Sequence, residues 1–381
     1  MMKNIAVLGA SGSVGSQALS VSAARGYRVD FISGGTNVRA IENAARSFKP
    51  RFVAMSDEAA ARALKTSLAD TDATVLCGSE GICEGIGRTD AETVVNAITG
   101  MAGLAPTLAV IDRGLRLALA NKESLVIAGE CVMSRAFERG VDIIPVDSEH
   151  SAIFQSMKAG RREEVKRILL TASGGPFFGR SKEDLKLVTR EDALAHPTWR
   201  MGKKITVDSA TLMNKGFEII EAAHLFGVGA EKIEVLVHRE SILHSAVEYV
   251  DNAVIGEFSV PDMQSCIQYA VDYPIRHEGV IAPLDLCAIG KLTFYKPDTD
   301  AFPLLSLAKR AIRDGGAMGA VLNALDEMAV ADFLAGKIGF TDVSDKVVSL
   351  YERMLYAKKY SDISDIFRLD KEAREIYLKE K

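Results

Sequence analysis

No uninterrupted apolar run in the 381 residues is long enough to cross a bilayer, and no basic-then-apolar leader precedes the first strand pattern. A cytoplasmic protein is expected. The cysteines Cys77, Cys83, Cys131, Cys266 and Cys287 are odd in number and scattered, without disulfide or zinc spacing, which fits thiols in a reducing compartment. Basic charge is not in excess: 46 Lys and Arg stand against 51 Asp and Glu, a net charge of −5. That balance argues against nucleic acid as a partner and leaves room for a local basic pocket around a small phosphate ester. There is one tryptophan, and no internal repeat or low-complexity tract. What remains is an ordinary soluble composition, with chain enough for roughly two or three domains.

The first pattern is Ile5 to Leu8, an apolar run, followed by Gly9-Ala-Ser-Gly12-Ser-Val-Gly15 and a helix-compatible stretch to Ala24. Strand, glycine turn and helix make a dinucleotide-binding opening, in which the backbone approaches a pyrophosphate seated on the helix N-terminus. The next strand, Arg28 to Ser33, carries no acidic residue at its end for ribose hydroxyls. It runs instead into Gly34-Gly35-Thr36-Asn37-Val38-Arg39, whose neutral donors and arginine suit a 2′-phosphate, so the cofactor is expected to be NADPH. Three further buried strands follow between helical stretches, as a parallel sheet demands, and Thr99 to Gly103 and Asn121-Lys122-Glu123 fall at strand ends that should border the cofactor. Val141 to Val146 reads as one more strand, with Asp147 and Glu149 on one side of its end. Two like charges that close repel unless a cation or a proton sits between them, which makes the pair a candidate hard-oxygen metal site, the alternative being a solvated strand end. His150 is read as orienting or structural.

From Ser151 a helix crosses into a second region. Val165 to Thr171 reads as a strand ending in the turn Ser173-Gly174-Gly175-Pro176, whose amides and hydroxyl suit an anion. Gly179 to Ala195 is charged and poorly periodic, and is expected to belong to a mobile cover in which Trp199, just beyond it, also lies. The stretch His196 to Glu221 gathers the most chemistry. Ile205 to Val207 suit a short extended run, Asp208 and Ser209 a helix cap, and Leu212 to Ala223 a helix with Asn214 and Glu218 on one face beside Lys215. Ser209, Asn214 and Lys215 near a helix N-terminus suit a phosphate dianion, and Glu218 offers an oxygen to a metal. Runs at 234–237, 245–250 and 254–258 read as antiparallel β structure closed by Val260 to Pro274. A proline-bearing connection and helices, one capped at Thr341, complete the chain.

The expected class is α/β, with a Rossmann-like NADP-binding domain over 1–150, a central α+β catalytic domain with its lid over 151–274, a connecting segment over 275–298 and a C-terminal helical bundle over 299–381.

Taken together, GASGSVG at Gly9, ANKES at Ala120, PVDSEHSA at Pro145, SGGPF at Ser173, HPTWRMGKKITVDSATLMNKGFEIIEA at His196, and PDM with IQYA before Pro274 resemble the 1-deoxy-D-xylulose 5-phosphate reductoisomerase family. The resemblance spans most of the chain. It implies metal-dependent rearrangement of a phosphorylated keto-sugar and its NADPH reduction to 2-C-methyl-D-erythritol 4-phosphate. By that resemblance Asp147, Glu149 and Glu218 match the carboxylates that hold Mg²⁺ or Mn²⁺, with Co²⁺ also admitted, and Lys122 joins them as a catalytic group. Ser148, Lys122, Glu149, Glu218 and His196 match substrate contacts, and Ser173, Ser209, Asn214 and Lys215 the phosphate holders. Ser11, Gly12, Ser13, Val14, Gly35, Thr36, Asn37, Asn121, Glu123 and Gly202 match the NADPH lining. A homodimer is implied, as is a lid carrying the tryptophan. Two departures stand out: Ser11 where threonine is usual, and His238-Arg239-Glu240-Ser241 where the family typically reads His-Pro-Gln-Ser. The alternatives are another NADPH-dependent reductase of a phosphorylated aldehyde, which needs no three-carboxylate set, and an NADPH-binding sensor without turnover.

Overall fold

The computed structural model describes residues 3–199, 201–360 and 362–380. Its first strands are short and apolar on both faces, a pattern that is stable only when helices cover both sides of a parallel sheet. They alternate with helices accordingly: β1 (Asn4–Leu8), α1 (Ser13–Arg25), β2 (Arg28–Gly34), α2 (Val38–Phe48), β3 (Phe52–Met55), α3 (Glu58–Ser67), β4 (Thr74–Cys77), α4 (Gly78–Arg88), β5 (Thr93–Asn96), α5 (Leu104–Asp112), β6 (Arg116–Leu119), α6 (Glu123–Arg139), β7 (Ile143–Pro145) and α7 (Ser148–Ser156). The sheet order is β4-β3-β2-β1-β5-β6-β7, with every pairing parallel. Strand order therefore reverses at β1, and the crevice beyond its carboxyl end is where such sheets bind ligands.

A second sheet follows β8 (Val165–Ala172). After it come α8 (Lys182–Leu185), α9 (Arg190–Leu194), α10 (Lys203–Ala210), α11 (Met213–Phe226), β9 (Ile233–Val237), β10 (Leu243–Tyr249), β11 (Val254–Phe258), α12 (Met263–Asp272), α13 (Leu286–Ile289), α14 (Leu304–Asp314), α15 (Met318–Leu334), α16 (Phe340–Arg353) and α17 (Ile363–Lys379). The chain separates into two compact units. One comprises residues up to Ser124, Val132–Ser151 and Asp262–Pro283; the other comprises Leu125–Cys131, Ala152–Pro261 and the chain from Leu284 on.

Several expectations are corrected. The second sheet, in order β11-β10-β8-β9, is mixed rather than antiparallel, because β8 and β9 run parallel. The long connection from β8 to β9 makes this possible, whereas a hairpin could not. Ile205 to Val207 are helical within α10: burial of Thr206, Val207 and their successors overrides the β-branched preference, and the Thr206 hydroxyl donates to the Gly202 carbonyl one turn back at 2.8 Å. Asp208 and Ser209 are therefore inside α10, and Leu212, at φ 60°, separates it from α11. The segment from Gly179 to Ala195 is not irregular; reciprocal capping by Ser181 with Asp184 and Thr189 with Asp192 starts α8 and α9, which bury Leu185 and Ala193. The strand before Asp147 ends at Pro145, so Asp147 lies in a turn and Glu149 in the first turn of α7. Gly339 rather than Thr341 precedes α16, its amide held by Asp342 at 2.8 Å. Of Val260 to Pro274, read as closing the β region, all from Asp262 on belongs to the first unit, where α12 packs on α1, β6 and β7.

The first sheet is pinned by one buried carboxylate. Asp30, in the middle of β2 and almost fully buried, accepts from Arg51 at 2.9 and 3.0 Å, from the Thr89 hydroxyl at 2.7 Å and from the Asp90 amide at 3.0 Å. Burial alone would raise its pKa, but the donors from Arg51, Asp90 and Thr89 outweigh it and hold the carboxyl below its ordinary value. A depressed native pKa contributes stability above the unfolded value and loses it on acidification. Asp30→Asn should therefore cost about 2 kcal/mol at neutral pH, and its deficit in urea unfolding should shrink as pH falls below about 4; a deficit independent of pH would refute this.

Candidate functional site

In the first unit the turn after β1 is built by close backbone approach. The Gly12 amide donates to the Gly9 carbonyl at 2.9 Å, Gly9 has φ +74°, and a Cβ on Gly15 would stand 2.2 Å from the Gly9 oxygen. Ser11, Gly12, Ser13 and Val14 are thus presented at the N-terminus of α1, whose first turn has no acidic residue, a fitting seat for an anion. At the end of β2, Gly35 and Thr36 lead to Asn37, whose side chain accepts from the Ala40 amide at 3.1 Å and starts α2. No acidic side chain stands there, and Arg39 is exposed. Asn121 is buried: it donates to the Gly100 carbonyl at 3.0 Å and to Glu123 at 2.9 Å and accepts from the Ser124 amide at 3.1 Å. It fixes the loop after β6 to the one after β5. Gly202 alone of the cofactor set lies in the second unit, before α10.

Also in the first unit, Lys122 sits at the N-cap of α6 with its ammonium 2.8 Å from Asp147. The other Asp147 oxygen faces His150 Nδ1 at 3.3 Å, and His150 is fully buried. Burial would raise the Asp147 carboxyl, but the Lys122 charge, then His150, hold it well below the ordinary carboxylate range. The Ser148 hydroxyl donates to Glu149. Asp147, Ser148 and Glu149 are together because a strand end feeds directly into a helix.

The second unit holds the remaining groups. Glu218 is buried on α11, accepts from Asn214 at 2.6 Å and pairs with Lys215 on the same helix. An ammonium stands against each of these two carboxylates, Asp147 in the first unit and Glu218 in the second, so each charge is compensated within its own unit; carboxylate oxygens are the donors that a hard divalent ion such as magnesium takes. The Ser173-Gly174-Gly175 turn packs on the end of α10, since a Cβ on Gly175 would stand 2.7 Å from the Ser209 carbonyl. Ser209, Asn214 and Lys215 therefore flank the α10–α11 junction, with Ser209 at a helix end rather than a cap.

His196 resolves which way the Ser173 hydroxyl points. Its Nδ1 accepts from the amides of Thr198 at 3.2 Å and Trp199 at 2.9 Å, so the proton of the neutral ring is on Nε2, 3.0 Å from Ser173 Oγ. That oxygen also accepts from the Gly175 amide at 3.3 Å. With both lone pairs engaged, the hydroxyl proton is left to donate outward, as an anion requires. Burial, and then the charge of Arg239, lower the His196 pKa to about 4. Trp199 lies with its ring centroid 6.4 Å from that of His244, a buried histidine whose pKa is lowered by burial and which also faces Lys215. Sequence reasoning placed neither His244 nor Arg239 in the site. Arg239 donates to the carbonyls of Ser173 at 2.9 Å and Gly175 at 2.7 Å; its only signal was the departure from His-Pro-Gln-Ser.

Comparison with known proteins agrees over the whole chain. Residues 5–129 match the family model for 1-deoxy-D-xylulose 5-phosphate reductoisomerase, 143–226 that for the enzyme's C-terminal domain, and 258–376 a further DXP reductoisomerase C-terminal domain. The 1-deoxy-D-xylulose 5-phosphate reductoisomerase of Caldanaerobacter subterraneus is 48% identical over 378 residues, and that of Geotalea daltonii 45% over 376, each alignment covering 98% of both chains. Among solved structures, the Zymomonas mobilis enzyme in complex with NADPH is similar with a TM-score of 0.91 and 39% identity. A DOX-P reductoisomerase in complex with NADPH, fosmidomycin and magnesium gives 0.94 and 38%; both alignments cover 99% of this chain and 98% of the other.

The His196 assignment is checked by NMR of ring-labelled protein. The signals should show an Nε2–H ring through pH 6, protonating only near pH 4; titration near its ordinary value of about 6.5 would refute the hydrogen-bond pattern.

Proposed function

This chain belongs to the 1-deoxy-D-xylulose 5-phosphate reductoisomerase family, and from that membership we propose how its residues share the work. The enzyme converts 1-deoxy-D-xylulose 5-phosphate to 2-C-methyl-D-erythritol 4-phosphate with NADPH and Mg²⁺. Ser11 to Val14, Gly35 to Asn37, Asn121, Glu123 and Gly202 line the dinucleotide. Asp147, Glu149 and Glu218 hold the metal. Ser173, Ser209, Asn214 and Lys215 receive the substrate phosphate, and Ser148, Lys122 and His196 touch the rest of the substrate. The observation that carries this reading is the Ser173 hydroxyl, whose acceptor sites are taken by His196 and Gly175 and whose proton is directed to an anion.

Bound magnesium supplies Lewis acidity to neighbouring substrate oxygens, and NADPH supplies the hydride. The chain does the positioning. Phosphate binding by the second-unit groups anchors the substrate away from its reacting carbons, so that binding energy is spent on orientation. Lys122, held against Asp147, keeps an ammonium proton beside the substrate hydroxyls and balances the carboxylate charge. Trp199, fixed through its amide to His196, closes over the substrate and excludes water. A plain aldehyde reductase would have no use for the carboxylate set.

The protein works as a homodimer in the cytoplasm. Supporting the dimer is β11, an edge strand with Val254, Ile255 and Phe258 exposed, an apolar edge of the kind that pairs with another chain. No helix among the described residues is long and apolar enough to cross a membrane.

Metal-stripped protein should fail to oxidise NADPH when given 1-deoxy-D-xylulose 5-phosphate and recover on adding Mg²⁺. Glu218→Gln should lower kcat by about 100-fold or more with Mg²⁺ present. Full turnover by that variant, or by stripped wild-type protein, would overturn the metal assignment. Sedimentation should give twice the chain mass for the wild type and a smaller species for Ile255→Lys; a wild-type monomer would refute the dimer.

A further inference from the structure

The parallel register of β8 with β9 sets Ala172 against Val237, and the His238 amide donates to the Ala172 carbonyl at 2.7 Å. Residues leaving the two strands therefore emerge side by side. From β8 comes the turn Ser173-Gly174-Gly175, and from β9 the loop His238-Arg239-Glu240-Ser241. The second loop is held firmly. His238 Nε2 accepts from the amides of Ile242 and Leu243 at 3.1 Å each, Glu240 accepts from the Thr293 hydroxyl at 2.7 Å, and Ser241 takes the left-handed region at φ 50°. From this base Arg239 reaches across, its guanidinium 5.3 Å from the centroid of the Phe178 ring, and one terminal nitrogen, Nη1, donates to both the Ser173 and Gly175 carbonyls.

We propose that Arg239 is a positioning residue for recognition of the substrate phosphate, a role that rests on the assignment of Ser173, Ser209, Asn214 and Lys215 to that phosphate. Gly174 and Gly175 have φ of +79° and +62° and no side chains to fix their peptide planes. A trans peptide sends its N–H opposite to its C=O. With the Ser173 carbonyl turned to Arg239, the Gly174 amide points away from the guanidinium as a donor for an anion. The Gly175 carbonyl belongs to a peptide whose nitrogen is Pro176, which offers no N–H in return, so pinning it only removes an acceptor that would repel a dianion. The guanidinium also places a fixed positive charge on the loop beside these donors.

The test uses the full-length enzyme with NADPH and Mg²⁺, comparing Arg239→Met and Arg239→Lys with wild type. Arg239→Met should raise KM for 1-deoxy-D-xylulose 5-phosphate, and the inhibition constant of inorganic phosphate competing with it, by about tenfold, the size of lost charge-assisted hydrogen bonds. The Kd for NADPH should stay unchanged and kcat should fall by much less than KM rises. Arg239→Lys, which keeps charge and N–H donors, should recover most of both constants. Unchanged KM and phosphate inhibition in Arg239→Met would overturn the proposal, as would a parallel loss of NADPH binding, kcat and melting temperature, which marks a merely structural role. Ser173→Ala and Lys215→Met separate the two readings. If they too leave phosphate inhibition unchanged, the phosphate assignment itself fails; if they weaken it while Arg239→Met does not, only the role of Arg239 falls.

Discussion

A carboxylate taken out of water costs several kcal/mol unless a cation or a set of donors replaces the solvent, and the placement of buried acids governs this chain. Asp30 is answered by Arg51 and two donors from the loop before β5, Asp147 by Lys122, and Glu218 by Lys215. Lys204 stands between Asp208 at 2.6 Å and Asp326 at 2.7 Å, joining α10 to α15. Burial alone would lower the Lys204 pKa, yet the two carboxylates raise it, while burial pushes Asp326 upward. One ammonium shared by two acids leaves an excess of negative charge in the cluster. Asp30 and Lys204 have done their work once the chain is folded. Asp147 and Glu218 differ, because their lysines are themselves groups assigned to substrate.

That difference separates a structural ion pair from a site. A lysine that only neutralises a buried acid is replaceable by an apolar pair of similar volume. Where acid and lysine both belong to a ligand set, the pairing is what keeps the carboxylate ionised before the metal arrives. Asp147 is held well below the ordinary range, and so is deprotonated, the form a divalent ion needs. Lys122 thus holds Asp147 charged, and under the proposed assignment both lysines also offer donors to the substrate.

Much of this was legible in the sequence wherever the determinant is local. The turn from Gly9 to Gly15 follows its strand within seven residues, and its geometry needs only glycine and a helix start. The absence of an acid after β2 could be read directly. The Asp147-Ser148-Glu149 cluster was found, but on the wrong element: Pro145 ends β7, and the acids ride into α7 instead of alternating along a strand. The α10 helix was missed because Ile205, Thr206 and Val207 look extended locally, whereas their burial in the second unit decides otherwise. Parallel pairing of β8 with β9 leaves no trace in an alternating apolar pattern, which serves either direction equally well.

That pairing has the widest consequence. A parallel partner requires a long crossover, and here the crossover from Ala172 to Ile233 carries the glycine turn, α8 and α9, Trp199, and the two helices bearing Ser209, Asn214, Lys215 and Glu218. An antiparallel hairpin would have left no chain for any of them. The same register brings the ends of β8 and β9 together, so that Ser173 and Arg239, 66 residues apart, become hydrogen-bonded neighbours. Sequence motifs report residues that are adjacent in the chain, and Arg239 became adjacent to the Ser173-Gly174-Gly175 turn only through the sheet. It therefore appeared in the sequence as a departure from a family pattern, and its role could be read only from where β9 ends.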